Sequence, residues 1–95
     1  MAMHYIKVFW KHGDSDFPIL LYSELDDARW EIRKVEVFGN GSLEYAGPSG
    51  SNGTTMLGLA PVPSLAEIAA NPEFEPTEIT KEEFEEKWSA ARGTD

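Results

Sequence analysis

Two histidines, seventeen carboxylates and eight Lys/Arg are the side chains from which any chemistry of this chain must be assembled. His4 and His12 lie on one alternating segment. At a rise of about 3.3 Å per residue, eight residues of straight strand hold their Cα atoms roughly 26 Å apart. Such a pair shares no metal and does no joint acid–base work. Asp14-Ser15-Asp16 and Asp26-Asp27 are the tight aspartate groupings, but neither continues into the spaced oxygen ligands and terminal bidentate Glu of a calcium loop. Ser49 and Ser51 sit among glycines rather than on a strained strand-to-helix turn, so they do not resemble activated nucleophiles. No metal and no cofactor is expected. A small enzyme built from scattered carboxylates with His4 or His12 stays open as an alternative, because nothing in the spacing selects a carboxylate pair.

The densest ionic block is Leu20 to Ala46, LLYSELDDARWEIRKVEVFGNGSLEYA. Arg29, Arg33 and Lys34 lie close in sequence to Tyr22, Trp30 and Tyr45, and cations among aromatics on a sheet can stack bases or meet an acidic protein. Direct nucleic-acid binding through Arg29, Arg33 and Lys34 is therefore a second alternative. Glu24, Asp26, Asp27, Glu31 and Glu36 are interleaved with those cations, however, and ion pairs within the sheet account for the same residues. A net charge of −9 also repels phosphate and anionic lipid and favours encounter with a basic protein. The candidate interaction surface is Glu24, Asp26, Asp27, Arg29, Glu31 and Arg33.

The elements that position these residues follow from periodicity. From His4 to His12 the chain alternates, with His4, Ile6, Val8, Trp10 and His12 on the more apolar face, assigned to the core. Gly13-Asp14-Ser15-Asp16 supplies a turn, and Pro18 precedes a second strand over residues 19–24, which suggests a hairpin. Asp26-Asp27 forms a turn into a third strand, Trp30 to Phe38. There the even-numbered Trp30 and Ile32 fall out of phase with Val35 and Val37. Either both faces are covered, or a bulge near Arg33-Lys34 shifts the register. Around Gly39-Asn40-Gly41, a three-residue loop with Gly41 left-handed pairs Val37 with Leu43 and Val35 with Tyr45. It also opposes Glu36 and Glu44, tolerable on a wet face with Lys34 near.

Residues 47–53, GPSGSNG, have the composition of a flexible loop, and residues 54–59 suggest a last short strand. Ser64-x-x-Glu67 is a capping box for a short helix ended by Pro72. Thr80-x-x-Glu83 opens a terminal helix whose Phe84, Trp88 and Ala91 form one apolar stripe. The acidic residues are concentrated in the second half: residues 48–95 hold nine carboxylates against three cations, the pattern of a solvated helix face.

Hydrophobic residues at 41% imply a packed core, and 95 residues suit a single domain spanning 1–95. With no cysteine, stability rests on packing. The start MAMHYIKVFWK lacks the apolar core of a secretory leader, and no run approaches the ~20 apolar residues of a membrane span. A cytoplasmic location and no membrane partner are the expectations.

HYIKVFWKH at 4–12, YSELDDARWEIRKVEVF at 22–38, NGSLEYA at 40–46, VPSLAEI at 62–68 and FEPTEITKEEFEEKW at 74–88 resemble a family of small bacterial domains of unknown function. The resemblance runs nearly end to end. It implies no catalytic residues, since the family has no assigned reaction, but SELDDARWE resembles its most characteristic stretch. That marks Glu24, Asp26, Arg29 and Glu31 as important for fold or binding. The expected architecture is α+β: an antiparallel sheet of four or five strands with a short helix, and a C-terminal helix packed on one face. The expected role is noncatalytic binding of a basic protein, as acidic immunity proteins neutralise toxins, by analogy of size and charge.

Overall fold

The computed structural model describes residues 2–53 and 55–93. In chain order the elements are β1 (His4–Trp10), β2 (Leu20–Leu25), β3 (Glu31–Val37), β4 (Leu43–Gly47), β5 (Gly50–Ser51), α1 (Leu65–Ala69), β6 (Phe74–Glu78) and α2 (Lys81–Arg92). The strands form one antiparallel sheet in the order β5-β4-β3-β2-β1-β6. α2 packs across one face, and α1 with the segment before it covers part of the other. No described helix is long and apolar enough to cross a membrane.

Each covered face carries its own apolar cluster. Under α2, Tyr5, Tyr22 and Val35 from the three central strands meet Phe84 and Trp88, with Tyr45 and Ala91 at the edge. Phe84 and Val35 are 0% exposed. Thr80 caps α2 by accepting from the Glu83 N–H, and Gly93 closes it in the left-handed conformation. Beneath α1, Ile6, Val8 and Leu25 are buried against Val62, Leu65, Ile68 and Phe74. The capping box predicted at Ser64 and Glu67 is present in both directions. β1 is thus buried on both sides: its expected core face holds Ile6 and Val8, and Tyr5 is buried on the other.

The sheet has six strands, where four or five were expected, because two were not legible. β6 contains Pro76 at its centre, which argues against a strand read in isolation. It is an edge strand paired only with β1, with Val8 opposite Pro76, and an edge tolerates a missing N–H. β5 lies inside the expected flexible loop, where Gly47 pairs with Gly50 and Ala46 with Ser51. Tyr45 and Asn52 tie that hairpin at its base: the Asn52 N–H donates to the Tyr45 carbonyl and the Tyr45 N–H to Asn52 Oδ1. No strand forms over 55–59, and Thr54 lies outside the described residues.

The β3–β4 hairpin has the predicted three-residue register, with Val35 opposite Tyr45, Val37 opposite Leu43, and Gly41 at φ +88°. Glu36 does oppose Glu44, but that face is not left to water. The buried Thr55 hydroxyl lies 2.6 Å from Glu36 Oε1 and 2.9 Å from Glu44 Oε1.

Candidate binding cleft

A register shift in β3 decides where the ionic block goes. Glu24 pairs with Arg33 but Leu25 pairs with Glu31, so Ile32 is the extra residue of a bulge. Of the two alternatives the sequence left open, covered faces or a bulge near Arg33-Lys34, the strand has the bulge, one residue earlier at Ile32. Arg33 stays on the α2 face with Val35, whereas Glu31 turns to the α1 face beside Lys34. The candidate surface Glu24, Asp26, Asp27, Arg29, Glu31 and Arg33 is thereby divided between two faces and a turn.

On the α2 face, Arg33 donates to Glu24 from Nε (2.7 Å) and Nη2 (2.8 Å) and to Glu85 from Nη1 (3.2 Å) and Nη2 (2.6 Å). Its guanidinium carbon is 4.9 Å from the ring centres of both Phe84 and Trp88. The Tyr5 hydroxyl donates to Glu24 Oε2 at 2.9 Å. The Arg33 hydrogen bonds hold the Glu24 carboxyl below its ordinary pKa against the opposing effect of burial. Burial first, then Glu24, pushes the Tyr5 phenol up to about 12. Hydrogen-bonded on all sides and covered by α2, this set anchors the helix.

In the β2–β3 turn, Asp26 Oδ1 accepts from the Ala28 and Trp30 N–H groups at 3.0 and 2.9 Å. Arg29 adopts φ +69°, rare for a residue with a Cβ. This aims its side chain at the strap preceding α1, where Nε donates to the Val62 carbonyl and Nη2 to the Pro63 carbonyl, both at 2.8 Å. The Val62 N–H donates back to the Arg29 carbonyl at 2.8 Å. Arg29 is therefore a three-bond clamp on that strap. Asp27 is exposed, 3.7 Å from His4 Nε2.

The strap, α1 and the sheet enclose a cleft of about 400 Å³, open to solvent on one side. Its walls are Ile6, Val8, Leu21, Val62, Ile68 and Phe74. By strand order it runs from Phe74 on β6 across β1 to a polar end on β2 and β3, formed by Ser23, Glu31 and Lys34. There Ser23 Oγ donates to Glu31 Oε2 at 2.8 Å, and Lys34 Nζ lies 3.2 Å from Glu31 Oε1. The Gly58 N–H donates to Glu31 Oε1 and Lys34 Nζ to the Met56 carbonyl, each at 2.8 Å. These bonds hold the 55–59 segment along the sheet. The Glu31 and Lys34 side chains are 6% and 15% exposed. A largely apolar hollow with a few convergent polar groups is the usual form of a binding site.

Among the described residues no group of three His, Asp or Glu is placed to hold a metal ion. Neither histidine lines the cleft. His12 Nδ1 accepts the Asp14 N–H at 3.0 Å, which leaves Nε2 to donate to the Pro18 carbonyl at 2.7 Å. Arg29, Arg33 and Lys34 are each engaged in a different place: the strap, the α2 network and the cleft.

Residues 4–93 match the family described as Domain of unknown function (DUF6881). The chain belongs to that family. No curated protein and no solved structure matches it. Since the family description assigns no activity, the function of this domain is argued from the cleft. Sequence reasoning reached Glu31 and Arg29, and met Lys34 only as a cation. It passed over Ser23 and the apolar walls. One signal was legible: Ser23 is the polar residue between Leu21 and Leu25 on an inward-facing alternation.

Proposed function

We propose that this domain is a noncatalytic binding module for a basic protein, which seats an apolar anchor side chain in the cleft between the sheet and α1. The observation that carries the reading is the open apolar cleft itself, held by a clamped strap, in a chain of net charge −9. Partners dock by inserting a few large anchors into such hollows, while complementary charge governs encounter and partner choice. Glu67, exposed at the cleft mouth, gives the rim a carboxylate for a flanking cation. Binding is favoured over catalysis by the state of the polar end. Ser23 faces a carboxylate that already accepts from Gly58 and is ion-paired with Lys34, and no imidazole is at hand to activate the hydroxyl. A small acidic binder in a reducing cytoplasm suits neutralisation of a basic toxin, an analogy of size and charge.

Selection from a displayed random-peptide library tests the reading. The wild-type domain is expected to enrich peptides with one large apolar or aromatic residue flanked by Lys or Arg, with affinities that fall as salt rises. Leu21→Trp, which fills the cleft, should abolish the enrichment while the domain still melts cooperatively. Equal enrichment by the filled variant, or peptides with no shared anchor, would refute the cleft as the binding site.

A further inference from the structure

The polar end of the cleft has hydrogen-bonding capacity that its own contacts leave unused, and this capacity selects among anchors. An ammonium has three donors. Among the described residues Lys34 donates one of them to the Met56 carbonyl and stands 3.2 Å from Glu31 Oε1 as an ion pair. A hydroxyl has one donor and two lone pairs; Ser23 spends its donor on Glu31 Oε2. N–H capacity of Lys34 and the lone pairs of Ser23 thus remain for water in the open cleft. An occupant that expels this water leaves them unpaired unless it replaces both partners.

The geometry points to a tyrosine side chain of the basic partner as the anchor, its ring against Ile6, Leu21 and Ile68 and its phenol hydroxyl at the Ser23–Lys34 end. The phenol is amphoteric: its oxygen accepts from Lys34 while its proton goes to Ser23 Oγ or to the Glu31 carboxylate. Phenylalanine, leucine and methionine fill the same walls but strand both groups. The indole N–H of tryptophan serves the acceptor side and leaves the Lys34 proton unmet. A carboxylate would accept from Lys34 but would face Glu31, whose oxygens lie at the same end. Local charge there is already balanced by the Glu31–Lys34 pair, so a neutral amphoteric group fits better than an ion. This inference rests on the cleft reading and names the chemistry of the anchor.

The test uses side-chain analogues on the isotopically labelled full chain, followed by amide chemical shifts. p-Cresol is expected to shift amides of β1, β2 and the strap, with a Kd at least about tenfold below that of toluene, the factor expected of one net hydrogen bond in a buried site. Ser23→Ala and Lys34→Met should each shrink that ratio towards one. Equal affinities in the wild type would overturn the tyrosine inference and leave the cleft reading standing. No perturbation of cleft amides by either compound would overturn both. If either variant fails to fold, the wild-type ratio alone decides. A lysine-flanked peptide with a central tyrosine should bind at least tenfold tighter than p-cresol; equal affinity would mean a free phenolic ligand and overturn the protein source.

Discussion

Glu31 and Arg33, two residues apart on one strand, point to opposite faces of the sheet because Ile32 bulges between them. Glu31 pairs with Lys34 at 3.2 Å in the cleft, while Arg33 pairs with Glu24 at 2.7 Å beneath α2. One inserted residue therefore separates a structural ion network from the polar end of a candidate binding site. Without it both side chains would share a face, and the cleft would lose its carboxylate.

Arg29→Ala should loosen the strap more than it unfolds the domain. The clamp's two side-chain bonds are lost and the Val62–Pro63 carbonyls return to water. We expect a loss of about 1–3 kcal/mol in denaturant melts, with hydrogen exchange accelerated at 60–68 and unchanged in β2. Protection that falls evenly across the sheet would show that Arg29 acts on global stability alone.

Glu24 makes stability depend on acid. Its folded pKa lies below its unfolded value, so its ionised form stabilises the fold above the unfolded value. That contribution is lost as pH falls through the folded one. Glu24→Gln should therefore lower stability at neutral pH and flatten the decline below about pH 4.5, the unfolded carboxyl range. An acid limb as steep as in the wild type would assign the loss to other carboxylates.

Tyr5 acts at the opposite end of the scale. Its phenol is raised to about 12, so it favours the fold below its unfolded value near 10, and this contribution disappears as pH rises from 10 towards 12. Ultraviolet titration should find a tyrosine that ionises near 12, a step absent in Tyr5→Phe. Loss of a different late step in Tyr22→Phe, whose phenol is also raised by burial, would separate the two.

Trp88→Ala should cost about 3–5 kcal/mol, the usual loss for a buried large aromatic. Trp88 is 9% exposed, stacks with Phe84 at 6.2 Å between ring centres and meets Tyr45 edge-on at 5.3 Å. A loss below about 1 kcal/mol in denaturant melts would mean that α2 is docked by other contacts.

Gly41→Val isolates a backbone cost. A Cβ there meets nothing within 4 Å, so any destabilisation comes from φ +88° alone. About 1–2 kcal/mol is expected for a side chain forced into that region, with Ser42→Thr near neutral. Equal melting points for Gly41→Val and wild type would require the turn to have rearranged, which the Val37–Leu43 register in a solution structure would reveal.

Residue type and spacing alone determined much of this protein. The first hairpin, the Val35–Tyr45 register, the two capped helices and the Phe84–Trp88 stripe are local patterns, legible because each repeats with the period of its element. What lacked a local signal was left to tertiary structure. β6 exists because β1 offers a free edge that outweighs the poor strand propensity of Phe-Glu-Pro-Thr-Glu. β5 exists because Asn52 closes a hairpin on Tyr45. The phase conflict between Ile32 and Val35 left open either two covered faces or a bulge; the bulge and its placement followed from the partner strand, where Leu25 had to be buried and Glu24 had to meet Arg33. The cleft is the furthest from sequence. Its walls come from β1, β2, β6, the strap and α1, and its polar end from a register shift, so no contiguous stretch encodes it. Volume between packed elements is a property of their distances in space, and it becomes visible only when the strap is clamped to the sheet.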